Sequence, residues 1–515
     1  SCGALVRGAH RVAALNPALV FIGFMGAGKS RAAREAAAAL GVRADDADAL
    51  LEARLGEPIE AVFARDGEAA FRAAEQELVG RLLETADGGV IALGGGALHS
   101  ERVRGALDRH VVVLLDVDLD TAWERAHRSG RPLARERSAF ESLYRSREPI
   151  YEAAADAVLP ATGARAVARA LDALRAIPEG HRLLWATSAS GDYPVWVGPL
   201  DRTPWPAAGR RVVVSDETVA ALHAGRVPDA AGLVEVPPGE EHKTLATAER
   251  IWHALVAQGA TRADHVVALG GGVVGDLAGF CAATYQRGIA VVQVPTTLVA
   301  QVDSAYGGKT GVDLPEAKNY VGAYHQPVAV LTDPSLLATL PDPELAAGYA
   351  EVLKTALIAG GSLWDRVASG APVDDDVIVG CVRTKLRVVA ADERDGGARQ
   401  ALNLGHTVGH AIETATGYAR YRHGEAVGLG LLAALRLSGQ DALRELVEEL
   451  LAHAGLPTRL EGVDAAAVAA ATARDKKRTG EAVPYVLVEA PGRITTGHAV
   501  GAAEVLAAVR ELSGR

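Results

Sequence analysis

The stretch Ala18-Leu19-Val20-Phe21-Ile22-Gly23-Phe24-Met25-Gly26-Ala27-Gly28-Lys29-Ser30 indicates the fold of the first part of the chain. Residues 18–22 are all apolar, as in a buried strand of a parallel sheet. Residues 23–30 match the pattern G-x-x-x-x-G-K-[ST], whose glycines let successive main-chain N–H groups converge on phosphate oxygens at the start of a helix. A helical stretch, residues 31–40, follows directly. The sequence therefore predicts a phosphate-binding loop between a strand and a helix.

This loop is expected to hold ATP with Mg²⁺. Lys29 would reach the outer phosphates, and the Ser30 hydroxyl would help to hold the ion. Arg131, in the run Gly-Arg-Pro-Leu at residues 130–133, is a candidate for a lid over the transferred phosphoryl group. The candidate ATP-binding residues are Gly26, Ala27, Gly28, Lys29, Ser30 and Arg131.

Around the loop, short apolar runs alternate with longer helical stretches. Strands are predicted at 19–22, 89–93 and 111–115, and helices at 31–40, 48–65, 69–85 and 164–176. Such alternation is typical of a parallel sheet covered by helices on both faces. Pro178 and Gly180 then mark a stop, so the sequence predicts a first domain over 1–176 and a linker over 177–184.

A second group of residues in this domain indicates a site for the acceptor of the phosphoryl group. Asp46 and Asp48 stand at the end of the second predicted strand, where open α/β sheets bind ligands. One carboxylate would hold Mg²⁺ through water, and the other would orient an acceptor hydroxyl or take its proton. Arg72, the glycines 94–96 and Arg147 are further candidates, although a single arginine is more often a solvated surface residue.

Residues 18 to about 160 resemble the shikimate kinases. The resemblance is carried by residues 23–30, Asp46 and Asp48, Phe71-Arg72, the glycines 94–96, Arg131-Pro132-Leu133 and Arg147-x-Pro149-x-Tyr151. It implies that shikimate is held by Asp48, Arg72, Gly95, Gly96 and Arg147, with Asp48 and Arg131 catalytic. It places Lys29 and Arg131 on the phosphates, and Ser30 and Asp46 in the Mg²⁺ region. Positions that are normally apolar in the family carry Ala44 and Asp45, which predicts a weaker strand edge.

The second part of the chain is α/β at first and then mostly helical. Strands are predicted at 211–214, 266–269, 291–294 and 328–331. After about Pro341 the strand signal nearly vanishes, and helices are predicted at 345–358, 377–392, 406–416 and 425–438. We therefore expect an α/β protein with a P-loop kinase domain on a parallel sheet, a Rossmann-like NAD-binding domain over 185–340 and a mostly helical metal-binding domain over 341–515.

A glycine run indicates where a dinucleotide would bind in the second part. Gly270-Gly271-Gly272, with Asp276, follows a predicted strand, and glycines there let a helix N-terminus approach a pyrophosphate. A glycine-rich turn alone is a weak signal, since it can be only a tight connection. Carboxylate, ammonium and hydroxyl groups suited to ribose and phosphate come from Glu240, Lys243, Thr296 and Thr297.

The metal-site hypothesis rests on Glu351, His406 and His423. Two imidazoles and one carboxylate leave a coordination position open for substrate. His410 lies four residues after His406 and would share its helical face, so by spacing alone both are candidate ligands. A single histidine on a helix is more often a core or surface residue. These histidines, however, accompany Lys354, Lys385, Arg399 and Asn403.

Residues 185 to 515 resemble the 3-dehydroquinate synthases. The resemblance is carried by the glycines 270–272 with Asp276, Arg287-Gly288, Pro295-Thr296-Thr297, Val302-Asp303-Ser304, residues 307–311, Lys318-Asn319, His325-Gln326-Pro327, Ala350-Glu351-Val352-x-Lys354, residues 403–410 and Arg422-His423-Gly424. It implies that Glu351, His406 and His423 bind Zn²⁺ or Co²⁺, and that His410 handles phosphate and protons instead of binding the ion.

The same resemblance implies the residues around substrate and cofactor. Substrate would be surrounded by Arg287, Asp303, Lys309, Asn319, Lys354, Lys385, Arg399, Asn403 and Lys476 (or Lys477), and the catalytic set would be Lys309, Lys354, Lys385, Arg399, Asn403 and His410. NAD⁺ would contact Asp216, Lys243, Thr296, Thr297, Lys318 and Thr339, beside Glu240, Gly271, Gly272 and Asp276. The implied reaction is the NAD⁺- and metal-dependent cyclisation of 3-deoxy-D-arabino-heptulosonate 7-phosphate to 3-dehydroquinate, with loss of phosphate. Such synthases are generally dimers, which predicts a homodimer through this part.

Composition limits the partners. A chain of 515 residues is too long for one ordinary core, and a net charge of −11 argues against nucleic acid, whose phosphates need a basic face. No apolar stretch of about twenty residues predicts a membrane span. Cys2, Cys281 and Cys381 lie far apart without metal-binding spacing, which fits a reducing cytosol. We expect small-molecule substrates and a cytoplasmic enzyme.

Three hypotheses for the whole chain remain at this point. The leading one is a bifunctional enzyme of aromatic amino-acid biosynthesis. In a second, the latter part is a cyclase of related sugar phosphates or an alcohol dehydrogenase, and net NADH production from a simple alcohol would distinguish the dehydrogenase. In a third, one half is a degenerate scaffold, which the presence of Lys29, Asp48, Glu351, His406 and His423 argues against.

Overall fold

The computed structural model describes residues 16–128, 132–161, 164–472 and 484–514. The chain forms two compact units, one up to Ile177 and one from Pro178 onward. Arg131, Lys476 and Lys477 lie outside the described residues. Within the described ranges, no helix is both long enough and apolar enough to cross a lipid bilayer.

The first unit has five strands and seven helices among its described residues. The strands are β1 (Leu19–Ile22), β2 (Ala44–Asp46), β3 (Val90–Ala92), β4 (Val111–Asp116) and β5 (Ala157–Pro160). The helices are α1 (Lys29–Leu40), α2 (Ala47–Leu55), α3 (Ile59–Thr85), α4 (Glu101–Leu107), α5 (Leu119–Arg128), α6 (Arg137–Ala154) and α7 (Ala164–Arg175).

The five strands of the first unit form a parallel sheet in the order β2-β3-β1-β4-β5. All four residues of the central strand, β1, are buried, as expected for an apolar strand with neighbours on both sides. The carboxyl ends of parallel strands share one edge of a sheet. The phosphate-binding loop after β1, Asp46 at the end of β2 and the glycines after β3 therefore come together at that edge.

The predicted helix 48–65 is wrong as a single element. Helix α2 ends at Leu55, and Gly56 adopts a left-handed conformation (φ 76°) and donates its N–H to the main-chain O of Glu52. Pro58 then directly precedes α3. Glycine ends the first helix because it tolerates positive φ, and proline cannot continue a helix from the preceding turn. The weaker edge expected at Ala44 and Asp45 does not prevent pairing, since both residues lie opposite β3.

The second unit has eleven strands and eleven helices among its described residues. The strands are β6 (Arg182–Thr187), β7 (Asp192–Val197), β8 (Arg211–Asp216), β9 (Ala230–Val236), β10 (His265–Gly270), β11 (Ala290–Pro295), β12 (Lys309–Leu314), β13 (Ala317–Tyr324), β14 (Ala329–Thr332), β15 (Pro484–Ala490) and β16 (Arg493–Ala499). The helices are α8 (Glu217–His223), α9 (Leu245–Ala257), α10 (Gly272–Thr284), α11 (Asp342–Ala359), α12 (Gly361–Ala368), α13 (Asp375–Ala391), α14 (His406–Ala415), α15 (His423–Leu437), α16 (Asp441–His453), α17 (Ala465–Thr472) and α18 (Ala502–Leu512).

Seven strands of the second unit form a sheet in the order β6-β7-β14-β11-β10-β8-β9. Only β6 and β7 pair antiparallel, and the other neighbours are parallel. Strand β10 is buried along all six residues and leads into the glycine turn, while β11 leads into Thr296 and Thr297. The glycine turn after β10 and the residues Thr296 and Thr297 after β11, both predicted to bind the dinucleotide, therefore lie next to each other at one edge of the sheet.

Two predictions for the second unit need refinement. The mostly helical part expected after about Pro341 is confirmed, but it also contains β15 and β16, which form an antiparallel hairpin near the C-terminus. In addition, β6 begins at Arg182, within the predicted linker 177–184. The alternating residues of β16 are largely exposed, so this strand lacks the apolar run by which a buried strand is identified.

Glycines allow three helices of the second unit to approach closely. A Cβ atom at Gly424, in the first turn of α15, would overlap the main-chain O of Ala347 in α11. A Cβ atom at Gly430 would overlap the main-chain O of Gly405, just before α14. Only glycine fits at such contacts. They bring the first residues of α14 and α15, His406 and His423, against the helix that carries Glu351.

Candidate active sites

The phosphate-binding loop of the first unit follows β1, as the sequence predicts. Gly26 and Gly28 have positive φ angles of 83° and 88°, which favour glycine. Lys29, the first residue of α1, donates from Nζ to the main-chain O of Gly23 at 2.8 Å and of Phe24 at 3.2 Å. The ammonium group is therefore held beside the main-chain N–H groups at the start of the helix. Together they can bind the phosphates of ATP.

Asp46 and Asp48 follow the loop at the same edge of the sheet. Oδ1 of Asp46 accepts hydrogen bonds from the main-chain N–H of Asp48 at 3.1 Å and of Ala49 at 3.3 Å, and thereby caps α2. Asp48 lies against the glycine turn after β3, because a Cβ atom at Gly94 would overlap its carboxylate. The cap thus holds the Asp46 carboxylate at the start of α2, while the Asp48 carboxylate faces the glycine turn.

The glycine turn 94–96 brings two arginines close to the main chain. A Cβ atom at Gly96 would overlap the guanidinium of Arg72, and one at Gly95 would lie 3.5 Å from Nη1 of Arg147. Arg147 is 5% exposed, so it is not the solvated arginine that a single position would suggest. Two guanidinium groups around a glycine turn can bind a carboxylate, and Asp48 beside them can accept from a hydroxyl.

Glu75 belongs to this site and is absent from the residues predicted above. Its carboxylate is 4% exposed and lies 2.6 Å from Nη1 of Arg72. Burial raises the pKa of Glu75, although the ion pair with Arg72 opposes that shift. The only signal in the sequence is the spacing of three residues, which puts Glu75 and Arg72 on one face of α3.

Tyr151 supports the same turn from α6. Its hydroxyl donates to the main-chain O of Gly95 at 2.5 Å. Burial raises the pKa of Tyr151 to about 12, so the hydroxyl keeps its proton at neutral pH. The turn is therefore held by Tyr151, with Arg147 on the same side of Gly95 and Arg72 beside Gly96.

Glu351, His406 and His423 meet in the second unit. Oε1 of Glu351 lies 3.5 Å from Nε2 of His406 and 3.3 Å from Nε2 of His423. Glu351 is 1% exposed, and the three ligand atoms all lie within 4.8 Å of one another. Two imidazole nitrogens and one carboxylate oxygen at this spacing can hold a Zn²⁺ or Co²⁺ ion and leave a coordination position for substrate.

The outer nitrogens of the two imidazoles have partners that orient the rings. Nδ1 of His406 lies 3.2 Å from the main-chain O of Leu404, and Nδ1 of His423 lies 3.4 Å from Oε2 of Glu413. A proton on each Nδ1 leaves Nε2 free for an ion. Burial alone would lower the pKa of His423, but hydrogen bonds to Glu351 and Glu413 raise it to about 10. The site therefore attracts positive charge.

Glu413 is the second residue that sequence reasoning missed, and it clarifies the role of His410. Glu413 is 3% exposed and ion-pairs with Lys318 at 3.4 Å. His410 groups with Glu413 and His423, whereas the group with Glu351 contains only His406 and His423. The structure therefore places His406 and His410, which spacing alone left as joint candidates, in two different three-residue groups of the described residues.

A buried cluster of charges adjoins the metal-ligand set. Nζ of Lys354 lies 2.5 Å from Oε2 of Glu351 and also contacts Asp303, whose other carboxylate oxygen contacts Lys385. Burial lowers the pKa of Lys385 to about 8. Burial would raise the pKa of Asp303, but the charges of Lys354 and Lys385 lower it to about 2. Two ammonium groups beside the ion position can bind an anionic substrate.

Arg399 approaches this cluster from the loop after α13. It is 1% exposed, and its guanidinium donates to the main-chain O of Glu393 at 2.5 Å and of Gly307 at 3.2 Å. Asp392 accepts the main-chain N–H of Arg399 at 3.1 Å, which fixes the loop. Asn403 ends the same 3₁₀ turn, three residues before His406. The predicted Lys309 is half exposed and ion-pairs with Asp395 at 2.6 Å.

The glycine turn after β10 fits a dinucleotide. A Cβ atom at Gly271 would lie 2.8 Å from Cγ2 of Thr297, and one at Gly272 would lie 3.0 Å from Oγ of Ser304. The hydroxyls of Ser304 and Thr296 are buried and have no hydrogen-bond partner among the described residues. Since an unpaired buried hydroxyl is costly, these groups suit a polar ligand at the start of α10.

Lys243 lies among three carboxylates, of which Glu240 and Asp276 are predicted for this site and Asp313 is not. Its Nζ is 2.7 Å from Glu240, 3.4 Å from Asp276 and 3.8 Å from Asp313. Burial raises the pKa of Asp276 to about 6 despite the nearby ammonium. The main-chain N–H of Asn319 donates to Asp313 at 2.7 Å, and a contact of its side chain with substrate stays a prediction.

The remaining predicted residues lie at several places. Asp216 caps α8, and Oγ1 of Thr339 lies 2.9 Å from Nε2 of His223. Lys318 pairs with Glu413 beside the metal-ligand set.

Arg287 is exposed and lies beyond the C-terminal end of α10. This 13-residue helix separates it from the glycine turn by about 20 Å along the helix axis. That Arg287 contacts substrate stays a prediction.

Comparison with known proteins assigns both units. Models of three protein families match the chain: shikimate kinase over residues 25–177, the N-terminal part of 3-dehydroquinate synthase over 233–347, and its C-terminal part over 348–478. The chain is 44% identical to the 3-dehydroquinate synthase of Halorhodospira halophila over 339 residues, which cover 61% of this chain and 96% of that protein. It is 46% identical to that of Geobacter metallireducens over 299 residues, which cover 53% of this chain and 82% of that protein.

Solved structures of similar proteins match the second unit. A 2-deoxy-scyllo-inosose synthase, solved with carbaglucose-6-phosphate, NAD⁺ and Co²⁺, is 25% identical with a TM-score of 0.58, and the match covers 64% of this chain and 99% of that one. A 2-epi-5-epi-valiolone synthase from Streptomyces hygroscopicus, solved with NAD⁺ and Zn²⁺, is 28% identical with a TM-score of 0.57, covering 62% and 96%. From the extent and identity of these matches, the chain belongs to the 3-dehydroquinate synthase family through its second unit and carries a shikimate kinase domain in its first.

Proposed function

We propose that the two units perform two reactions of aromatic amino-acid biosynthesis. The first phosphorylates shikimate with ATP and Mg²⁺. The second cyclises 3-deoxy-D-arabino-heptulosonate 7-phosphate to 3-dehydroquinate and releases phosphate. The observation that carries the second activity is the direct packing of the Asp303, Lys354 and Lys385 cluster against Glu351 of the metal-ligand set.

In the second unit, the chain's own cations bind and orient an anionic substrate. Lys354 and Lys385 are held by Asp303, so their ammonium groups face the ion position in a fixed geometry. Nε of Arg399 is buried without a partner among the described residues, which suits a phosphate or carboxylate oxygen. When bound, the metal ion polarises a substrate hydroxyl, and NAD⁺ accepts and returns hydride. His410, outside the first ligand set but beside it, is assigned to proton handling.

In the first unit, the residues divide between nucleotide and acceptor. Lys29 and the N–H groups of residues 26–30 bind the phosphates, and Ser30 with Asp46 supports Mg²⁺. Arg72 and Arg147 bind the shikimate carboxylate at the glycine turn, with Asp48 oriented toward an acceptor hydroxyl. Asp48 is then the candidate proton acceptor for phosphoryl transfer.

The alternative functions of the second unit have less support. The related sugar-phosphate cyclases are 25% and 28% identical to the chain, against 44% and 46% for the two 3-dehydroquinate synthases. A dehydrogenase of simple alcohols has no use for Lys354, Lys385 and Arg399, because a plain alcohol carries no anion for these cations to bind.

We also propose that the enzyme is cytoplasmic and forms a homodimer through the second unit. Support for the dimer comes from α9, whose exposed face carries Leu245 and Val256, 42% and 64% exposed, beside a groove of about 580 Å³. Glu249 and His253 lie between them, so two antiparallel copies would place each carboxylate opposite an imidazole. Sedimentation velocity tests this: Leu245→Glu should yield a monomer.

A metal add-back assay on one preparation tests the two activities. After treatment with a chelator and its removal, Mg²⁺ alone should restore ATP-dependent phosphorylation of shikimate, and Zn²⁺ or Co²⁺ should be needed for cyclisation. Phosphate release and 3-dehydroquinate formation are followed in parallel. If Mg²⁺ alone restored cyclisation, the assignment of Glu351, His406 and His423 to a transition-metal ion would be wrong.

A further inference from the structure

The helices α14 and α15 carry a second group of metal-binding side chains. His410, Glu413 and His423 each offer a ligand atom, and these atoms all lie within 4.8 Å of one another. His410 and Glu413 are three residues apart, so they share one face of α14. Glu413 is 3% exposed, and the ammonium of Lys318 lies 3.4 Å from its Oε1. A buried carboxylate thus already attracts a cation at this position.

The two groups share one imidazole. Nε2 of His423 lies 3.3 Å from Glu351, and Nδ1 of the same ring lies 3.4 Å from Glu413. A neutral imidazole has one nitrogen without a proton, so it can bind one ion at a time. An ion held through Nδ1 therefore withdraws His423 from the group that contains Glu351 and His406.

We propose that His410, Glu413 and His423 form an alternative site for a divalent transition-metal ion, exclusive with the site at Glu351, His406 and His423. Two imidazole nitrogens and one carboxylate oxygen are the same donor set as at the first site, so Zn²⁺ and Co²⁺ suit both. Lys318 neutralises Glu413 in the absence of an ion and competes with an ion for that carboxylate. The two carboxylates are similarly buried, with Glu351 1% and Glu413 3% exposed, so the competing ammonium of Lys318 favours the first site.

A Co²⁺ titration followed by visible absorption separates the two sites. The full-length His406→Ala variant should still bind one Co²⁺ per chain, because the second group is complete. Adding His410→Ala to it should weaken binding at least about tenfold, whereas His410→Ala alone should change the affinity of the wild-type protein less than about twofold. Equal affinities for His406→Ala and the double variant would overturn the proposal.

Two further sets of variants in the same Co²⁺ titration keep the test decisive if His406→Ala does not fold. Glu351→Gln and Glu351→Gln/His410→Ala form a second pair with the same expected difference. In either background, Lys318→Met should tighten Co²⁺ binding, because the competing ammonium is removed. Weaker Co²⁺ binding by Lys318→Met would contradict the proposed competition between the ion and the ammonium group for Glu413. The proposed enzymatic function is judged separately, by the rate at which the wild-type protein forms 3-dehydroquinate, since Co²⁺ binding by the second group does not depend on that reaction.

Discussion

Nη1 of Arg72 lies 2.6 Å from the buried carboxylate of Glu75, one turn further along α3. The pair fixes the guanidinium against the glycine turn, where a Cβ atom at Gly96 would overlap it. Glu75→Gln keeps the shape but removes the charge. We expect kcat/KM for shikimate to fall about tenfold, as for loss of one hydrogen bond to a charged group, with KM for ATP unchanged. A coupled kinase assay measures both, and the cyclisation rate of the same preparation serves as control.

The glycine turn allows a matched pair of substitutions. Gly96→Ala should displace Arg72 and raise KM for shikimate, because the added methyl group occupies the position of the guanidinium. Gly105→Ala adds the same methyl group in α4, where nothing lies within 4 Å, and should be neutral or stabilise the protein by up to about 1 kcal/mol. Kinase kinetics and thermal unfolding of both variants test this. Equal effects of the two substitutions on KM would contradict the role of the turn.

Reciprocal substitutions should separate the two activities. Lys29→Ala removes the ammonium of the phosphate-binding loop and should lower kcat for shikimate phosphorylation at least about 100-fold, with cyclisation nearly intact. His406→Ala should have the opposite pattern, because it removes a metal ligand of the second unit only. Both rates are measured on each variant after circular dichroism has confirmed folding. One substitution that abolished both rates in a folded protein would refute independent sites.

Lys385 predicts a pH-dependent uptake of protons. Burial lowers its pKa to about 8, so near pH 8.5 much of the population is neutral. Inorganic phosphate bound beside it would stabilise the ammonium and draw a proton from solvent, whereas at about pH 6.5 the ammonium is already present. Calorimetry in two buffers with different heats of ionisation should detect uptake only at the higher pH. Because the pKa of Lys385 is lower in the folded chain than in the unfolded chain, the unfolded chain binds more protons above about pH 8. The free energy of unfolding should therefore rise with pH from about 8 to the ordinary lysine pKa.

Lys385→Met provides the control for that experiment. The variant should bind phosphate more weakly and take up no proton near pH 8.5, since the titrating group is gone. Uptake at that pH that persisted in the variant would assign it to another group.

Sequence reasoning succeeded where chemistry depends on a contiguous motif. The residues 23–30 and 270–272 bind through their own main-chain groups, so their order in the chain is enough to identify them. Glu75 and Glu413 act differently, since each holds another side chain in place by a contact made only after helices pack. Such a residue carries no local signal beyond helical spacing. The role of Arg287 stays a prediction, because its contact with substrate rests on the resemblance alone and the residue is exposed after α10.

The errors in secondary structure have equally local causes. The run 48–65 is rich in residues that favour helix, and only Gly56 and Pro58 reveal that it is two helices. The hairpin of β15 and β16 was hidden because β16 is largely exposed and lacks an apolar run. An extended segment without a buried face shows little alternation of apolar and polar residues from which a strand could be predicted.

The division after Ile177 has a consequence for flux. Because one peptide links the two catalysts, every ribosome that completes the chain delivers one copy of each, whatever the strength of the promoter. Making more of this protein therefore raises the number of both catalysts equally. Only a change in turnover inside a single unit alters their ratio, so natural variants that adjust this ratio should cluster in one unit at a time.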